Sequence, residues 1–264
     1  MSAGIHVALW QVAAALVLVA LAVAISFWRG TDLERDIVLA TVRSMVQLTL
    51  VGYAIKLIFD ADTIWLVLAL LAVMVTFGAL TARHRADKVP GALGPLLVAL
   101  ALAGGCTLGL VVALGIFDPT PRYLVPVGGM VIGNAMTASA VALNRLGDEM
   151  TESRPRIEAT LALGATAREA ALPTVRRALR SGMITLVDST KTTGLIFFPG
   201  TMVGMLLAGA DPTDAVRLQL ILLYTLLGSV SISALVATTL AYRGFFTPAQ
   251  QLRELDEPAP SRSL

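Results

Sequence analysis

Apolar runs of spanning length alternate with short polar segments along this chain, and the runs lie near 5–28, 37–59, 63–82, 93–116, 123–144, 182–208 and 215–241. A helix needs roughly 20 mainly apolar residues to cross the hydrocarbon core of a bilayer. The pattern predicts an all-α integral membrane protein of about seven transmembrane helices, forming one membrane domain over 1–241. Beyond it, 242–264 ends in EPAPSRSL and reads as a disordered tail.

The one long polar interruption is 153–181, SRPRIEATLALGATAREAALPTVRRALRS. Within it Ile157, Leu161 and Ala165 recur at i, i+4 and i+8, as one face of a helix requires. Gly164 can end one helix, and Thr166 followed three residues later by Glu169 is the pattern of a capping box that begins another. Two short helices meeting at a bend are expected. Such a knuckle reads either as a loop whose arginines fix orientation or as a segment that docks on another protein.

Composition adds the medium. A chain of 264 residues with 56% hydrophobic and 14% charged residues is too apolar for a soluble domain of its size. The net charge of +2 gives no reason to expect a nucleic-acid partner. What matters is where the positive charges lie: 29–36, 83–90, 145–181 and 242–264 hold 15 of the 20 Lys and Arg residues, and the opposite set of segments holds only Arg122 and Arg217. The positive-inside rule then sets the N-terminus outside and the C-terminus in the cytoplasm. No Lys or Arg precedes the first run, so 5–28 reads as a permanent helix rather than a cleaved signal.

A few polar residues fall inside the runs. Arg43 and Gln47, one helical turn apart, face the bundle interior, lipid headgroups or a wet cavity, while Lys56 is close enough to an end to snorkel. Asn134, beside Met136, needs a partner, either a neighbouring helix or a substrate path. Asp188 and Lys191, at i and i+3, can neutralise each other as a structural or a gating pair. Pro199-Gly200 predicts a break at depth in the sixth run, and broken helices at depth line cavities. Gly105 and Gly109, Gly129 and Gly133, and Gly200 and Gly204 form small-residue faces suited to tight packing within one subunit or between two.

Several chemistries are excluded. Lys56, Lys88 and Lys191 follow Ile, Asp and Thr, so there is no glycine-lysine phosphate loop and no ATP hydrolysis by that route. Asp188 is the only acidic residue inside a run, which rules out an aspartate-pair protease. Cys106 stands alone, and His84 is a solvated loop residue with no matching metal partners. Transport, gating or scaffolding remain.

Glu158-Ala159 followed by Gly164, as EATLALG, resembles the EAA loop of ABC-transporter permeases, the cytoplasmic helix that seats in a groove of the ATPase subunit. The later part departs from that pattern: Pro173 comes early, and Arg177 stands where the family has its I-x-L-P ending. The run TKTTGLIFFPGTMVGMLLAGADPTDAVRLQLIL from Thr190 to Leu222, with ALNRLGDEM before it, is similar to the FetB-like iron-export permease family, also called UPF0014 or YbbM. That resemblance implies a permease subunit of an ABC transporter in a bacterial inner membrane. It also implies a homodimer driven by a separate FetA-like ATPase chain that carries ATP and Mg, with export of iron or a related metal ion. Plant relatives are linked to aluminium tolerance. Glu158, Ala159, Gly164, Arg168 and Glu169 are then the ATPase-coupling residues, and Arg43, Gln47, Asn134, Met136, Asp188, Lys191, Pro199 and Gly200 the candidates for pathway or gate. Fe²⁺ accepts oxygen and nitrogen ligands, but these residues define no complete ligand set. An ion-coupled carrier or a regulatory membrane scaffold without an ATPase is the alternative.

Overall fold

A computed structural model describes residues 9–61 and 63–253, and among them the regular structure is helical throughout. Two units are distinguishable. The first runs through Thr63 and includes Gly200–Ala215. Its helices α1 (Leu9–Arg29) and α2 (Glu34–Ala61) form a hairpin, and a later short helix, α8 (Gly200–Leu207), belongs to the same unit. Positive φ at Gly30 and Asp32 turns the chain between α1 and α2. Ser26 fastens the turn: its Oγ lies 2.8 Å from Thr31 Oγ1, donates to Glu34 Oε1 at 2.9 Å and accepts from the Leu33 amide at 3.2 Å.

The second unit comprises Ile64–Pro199 and the chain from Val216 onward. It contains α3 (Ile64–Arg85), α4 (Leu93–Ala113), α5 (Pro121–Glu152), α6 (Arg154–Ala162), α7 (Ala167–Thr192) and most of α9 (Pro212–Ala241). Helix α5 is its axis, packing on α3 and α4 and most extensively on α7. The core is rich in alanine, with Ala79, Ala82, Ala99, Ala103, Ala135, Ala171, Ala178 and Ala237 all buried. Small side chains let helix backbones approach where lipid supplies no hydrophobic drive. Helices α7 and α5 come close at Gly182, where a Cβ would lie 2.7 Å from both the Ala138 carbonyl oxygen and Ala142 Cβ of α5. Ser233 Oγ of α9 also donates across to the Ala135 carbonyl at 3.3 Å.

Several expectations are corrected. Five helices among the described residues are long and apolar enough to cross a membrane, beginning at Trp10, Ile64, Leu93, Pro121 and Pro212, and α2 is not among them. The fifth predicted run, 123–144, belongs to a helix that continues past Arg145 to Glu152. The sixth, 182–208, is not one helix: α7 ends at Thr192, a non-helical stretch follows, and α8 has only 8 residues. The break thus begins well before Pro199. Proline disfavours helical geometry in the residue preceding it and clashes with the carbonyl four back, and Gly194 at φ +85° turns the chain away first.

The second helix of the predicted knuckle is also not short, since α7 runs 26 residues from the polar segment into the sixth run. The glycine pairs do not make the tight contacts expected inside the protomer: Gly105, Gly109, Gly133, Gly200 and Gly204 have open space where a Cβ would go, and Gly129 is in ordinary contact with Met74. The tail is folded as far as Arg253, because a 3₁₀ turn (Tyr242–Phe245) buries Phe245 and Phe246 in the core. Residues 254–264 lie outside the described residues.

Gly182→Val should lower the melting temperature of the detergent-purified protein, with overpacking costing about 1–3 kcal/mol. Gly105→Ala, entering open space, should not lower it. Equal melting of the two variants would contradict the close α5–α7 contact.

Candidate functional site

The five residues singled out between 158 and 169 gather in one elbow formed by α6, the turn at Gly164 and the first turn of α7. Helix α6 is seated by Ile157, which is buried, and by Leu161, which packs against the same core. Glu158 faces solvent and pairs with Arg154 at 2.8 Å, and Ala159 is exposed. Gly164, at φ +90°, makes the reversal that a side chain would strain. The capping box forms: Thr166 Oγ1 accepts from the Glu169 amide at 3.3 Å, while Glu169 Oε2 accepts from the Thr166 amide at 2.9 Å. The Thr166 amide, and its hydroxyl donating to the same oxygen at 2.8 Å, hold the Glu169 carboxyl below the usual carboxylate range. Arg168 is exposed beside it.

The elbow is tied to α5 by residues that sequence reasoning did not single out for a role. Glu149 is 4% exposed, yet it meets Arg145 at 2.6 Å and Arg177 Nε at 2.6 Å. Arg177 also donates to Ser153 Oγ at 3.2 Å and Thr174 Oγ1 at 3.4 Å, so one guanidinium joins the end of α5 to α7. The only signal in the sequence was the i, i+4 spacing of Arg145 and Glu149 within NRLGDEM. Nearby, Lys88 of the α3–α4 loop binds Asp148 at 2.7 Å, and that carboxylate raises the ammonium above the usual lysine range.

The pathway candidates are not gathered into one place. Arg43 and Gln47 lie exposed on α2, in the first unit. Asn134 is on α5, where Nδ2 donates to the Met130 carbonyl of its own helix at 2.9 Å rather than to a neighbouring helix. It opens on a pocket of about 150 Å³ between α5, α7 and α9, whose polar lining includes Thr137, Thr185 and Ser189. Met136 is half-buried against the core and does not line that pocket. Asp188 and Lys191 pair at 2.9 Å with both side chains more than half exposed. Pro199 closes the non-helical stretch, and Gly200 opens α8. Among the described residues no group of three or more His, Cys, Asp or Glu could hold a metal ion.

Long apolar helices, a polar elbow and a helix interrupted beside hydroxyl-bearing residues define a multi-pass membrane protein. The chain belongs to the Uncharacterised protein family (UPF0014), whose model matches residues 9–246. It is 39% identical over 244 residues to Protein ALUMINUM SENSITIVE 3 of Arabidopsis thaliana, covering 91% of this chain and 88% of that protein. It is 37% identical over 238 residues to UPF0014 membrane protein YjkA of Bacillus subtilis, covering 90% and 94%. It is 34% identical over 242 residues to Probable iron export permease protein FetB of Escherichia coli, covering 92% and 93%. No solved structure matches it.

Glu149→Ala should destabilise the purified protein by about 1–3 kcal/mol, because two guanidinium groups lose a buried acceptor while staying partly open to water. Glu149→Ala combined with Arg177→Met should cost less than the two singles added, as melting of the four proteins will register. The capping box has its own pH signature. A lowered carboxyl stabilises above the ordinary carboxylate range and loses that contribution as pH falls through the folded-state value. Amide exchange in the first turn of α7 should therefore accelerate in acid, and Glu169→Gln, which removes the titrating carboxyl, should remove the dependence.

Proposed function

We propose that this chain is the membrane permease subunit of an ABC-type exporter of iron or a related metal ion, worked by a separate ATPase chain and assembled with a second copy of itself. The observation that carries the reading is the similarity, over nearly the full length of both chains, to a protein named as a probable iron export permease. Two features support it. The elbow bears the Glu158, Ala159 and Gly164 pattern on a rigidly seated helix pair, suited to receive a mechanical input. The excess of Lys and Arg in 145–181 favours a cytoplasmic elbow in a plasma membrane, within reach of an ATPase.

The mechanism follows from continuity. Helix α7 runs unbroken from the elbow at Ala167 to Thr192, and the chain breaks immediately afterwards. Movement of the elbow therefore arrives at the hydroxyl-lined pocket beside Asn134 and at the interrupted stretch beyond it, where a transport path would open or close. ATP and Mg act on the partner chain. Asp188 and Lys191, exposed and mutually neutralised, suit a gate near the end of α7.

Glu158→Lys and Gly164→Trp should each cut metal export and recovery of the ATPase by tenfold or more while leaving membrane insertion unchanged. Wild-type recovery with both variants would favour an ion-coupled carrier or a scaffold instead. Cysteines replacing Asn134 and Thr185 should react with a water-soluble thiol reagent in at least one nucleotide state, and inertness in every state would reduce the pocket to a packing defect.

A further inference from the structure

A cavity of about 690 Å³ opens in the turn between α3 and α4, with Arg83, His84 and Asp87 in its lining. Both flanking helices are long and apolar enough to cross a membrane, α3 ending at Arg85 and α4 beginning at Leu93. A cavity at the junction of two spans lies at the level of the lipid headgroups.

The turn is held on its protein side. Ala86, Val89 and Ala92 are buried in the core, and the Val89 amide donates to the Ala86 carbonyl at 3.1 Å. Lys88 is spent on Asp148 of α5 at 2.7 Å. The 3₁₀ turn near the C-terminus presses on the loop from another direction, since a Cβ on Gly244 would lie 2.7 Å from the Pro90 carbonyl oxygen. With those contacts fixed, the cavity keeps its shape without an occupant, which lowers the ordering cost of filling it.

The three ionisable residues of the lining are exposed, and their side chains make no hydrogen bond or ion pair among the described residues. Arg83 and Asp87 carry opposite charges four positions apart and line one cavity, yet they do not pair. Arginines that only fix orientation need neither a cavity nor a carboxylate in it. A single ligand bearing a separated anion and cation satisfies both residues at once.

The chemistry narrows that ligand. A guanidinium fork matches two oxygens of a phosphate, and the His84 ring supplies a further donor. A carboxylate accepts strong bonds from a primary ammonium, which has three N–H groups to give. A quaternary ammonium has none, and it is recognised by aromatic faces, of which this lining contains none.

We propose that the cavity between α3 and α4 binds the headgroup of a phospholipid with a primary amine, such as phosphatidylethanolamine, its phosphate on Arg83 and His84 and its ammonium on Asp87. The site requires neither an ATPase nor a cargo, so it stands or falls separately from the transport reading.

The test is native mass spectrometry of the full-length protein in mild detergent, offered phosphatidylethanolamine, phosphatidylcholine and phosphatidylglycerol with identical acyl chains. Wild type should retain phosphatidylethanolamine about tenfold better than phosphatidylcholine, the difference expected from one charge-assisted hydrogen bond. Asp87→Asn should bring that ratio close to one and favour phosphatidylglycerol. Arg83→Ala with His84→Gln should reduce retention of all three, whereas Arg180→Ala, which removes an exposed arginine elsewhere, should not. All the substituted side chains are exposed, so melting temperatures should match wild type. Equal retention of the ethanolamine and choline lipids by wild type would overturn the proposal, as would an unchanged preference in Asp87→Asn. Complete displacement of the lipid by excess inorganic phosphate would also overturn it, by assigning the cavity to a soluble anion.

Discussion

The contact between α7 and α5 at Gly182 is the constraint on which the second unit depends. In a bilayer, lipid tails solvate apolar side chains as well as another helix does, so helices stay together through close packing and hydrogen bonds. With only a hydrogen at position 182, the α7 backbone reaches the carbonyl oxygen of Ala138. The same pair is fastened again where Glu149 of α5 meets Arg177 of α7. The two fastenings are about 10 Å apart along α5, counting seven residues from Ala142 to Glu149 at 1.5 Å each. Two fixed points make a pair of helices a lever rather than a hinge, and α6 extends that lever through Ile157.

The sequence made much of this legible because membrane patterning and capping are local. Length and apolarity found the helices, and Gly164, Thr166 and Glu169 located the bend to the residue, since each acts through its own backbone. What stayed hidden is contact between elements distant in sequence. Gly182 has no glycine four residues away, only Ala178, and so does not stand out as the glycine pairs do, while five of the six paired glycines face open space. Glu149 reads as one more loop charge until the fold brings Arg177 to it from 28 residues away. Phe245 and Phe246 follow a polar turn and precede a proline, which hides their burial among the core alanines.

The sixth apolar run failed as a helix for a reason that composition cannot express. Hydropathy sums over Leu195, Ile196, Phe197 and Phe198 as though they were helical, although Gly194 and Pro199 bracket them and remove the helix on both sides. The four side chains are exposed, and a single residue pair, Thr193 with Phe197, bridges the stretch. An interruption of this kind at the end of a long, fixed helix gives movement somewhere to go. It accounts for the coexistence in one chain of a rigid polar elbow and an irregular apolar segment.

The most direct measurement of the lever is a pulsed electron-spin distance. Cys106 is first replaced by Ser, and spin labels are attached at Arg168 on α7 and Val141 on α5, both exposed. One narrow distance distribution, unchanged when the ATPase chain proposed above is bound and locked with nucleotide, is expected of a pair that moves as one body. A broad or two-peaked distribution that shifts with nucleotide would contradict it.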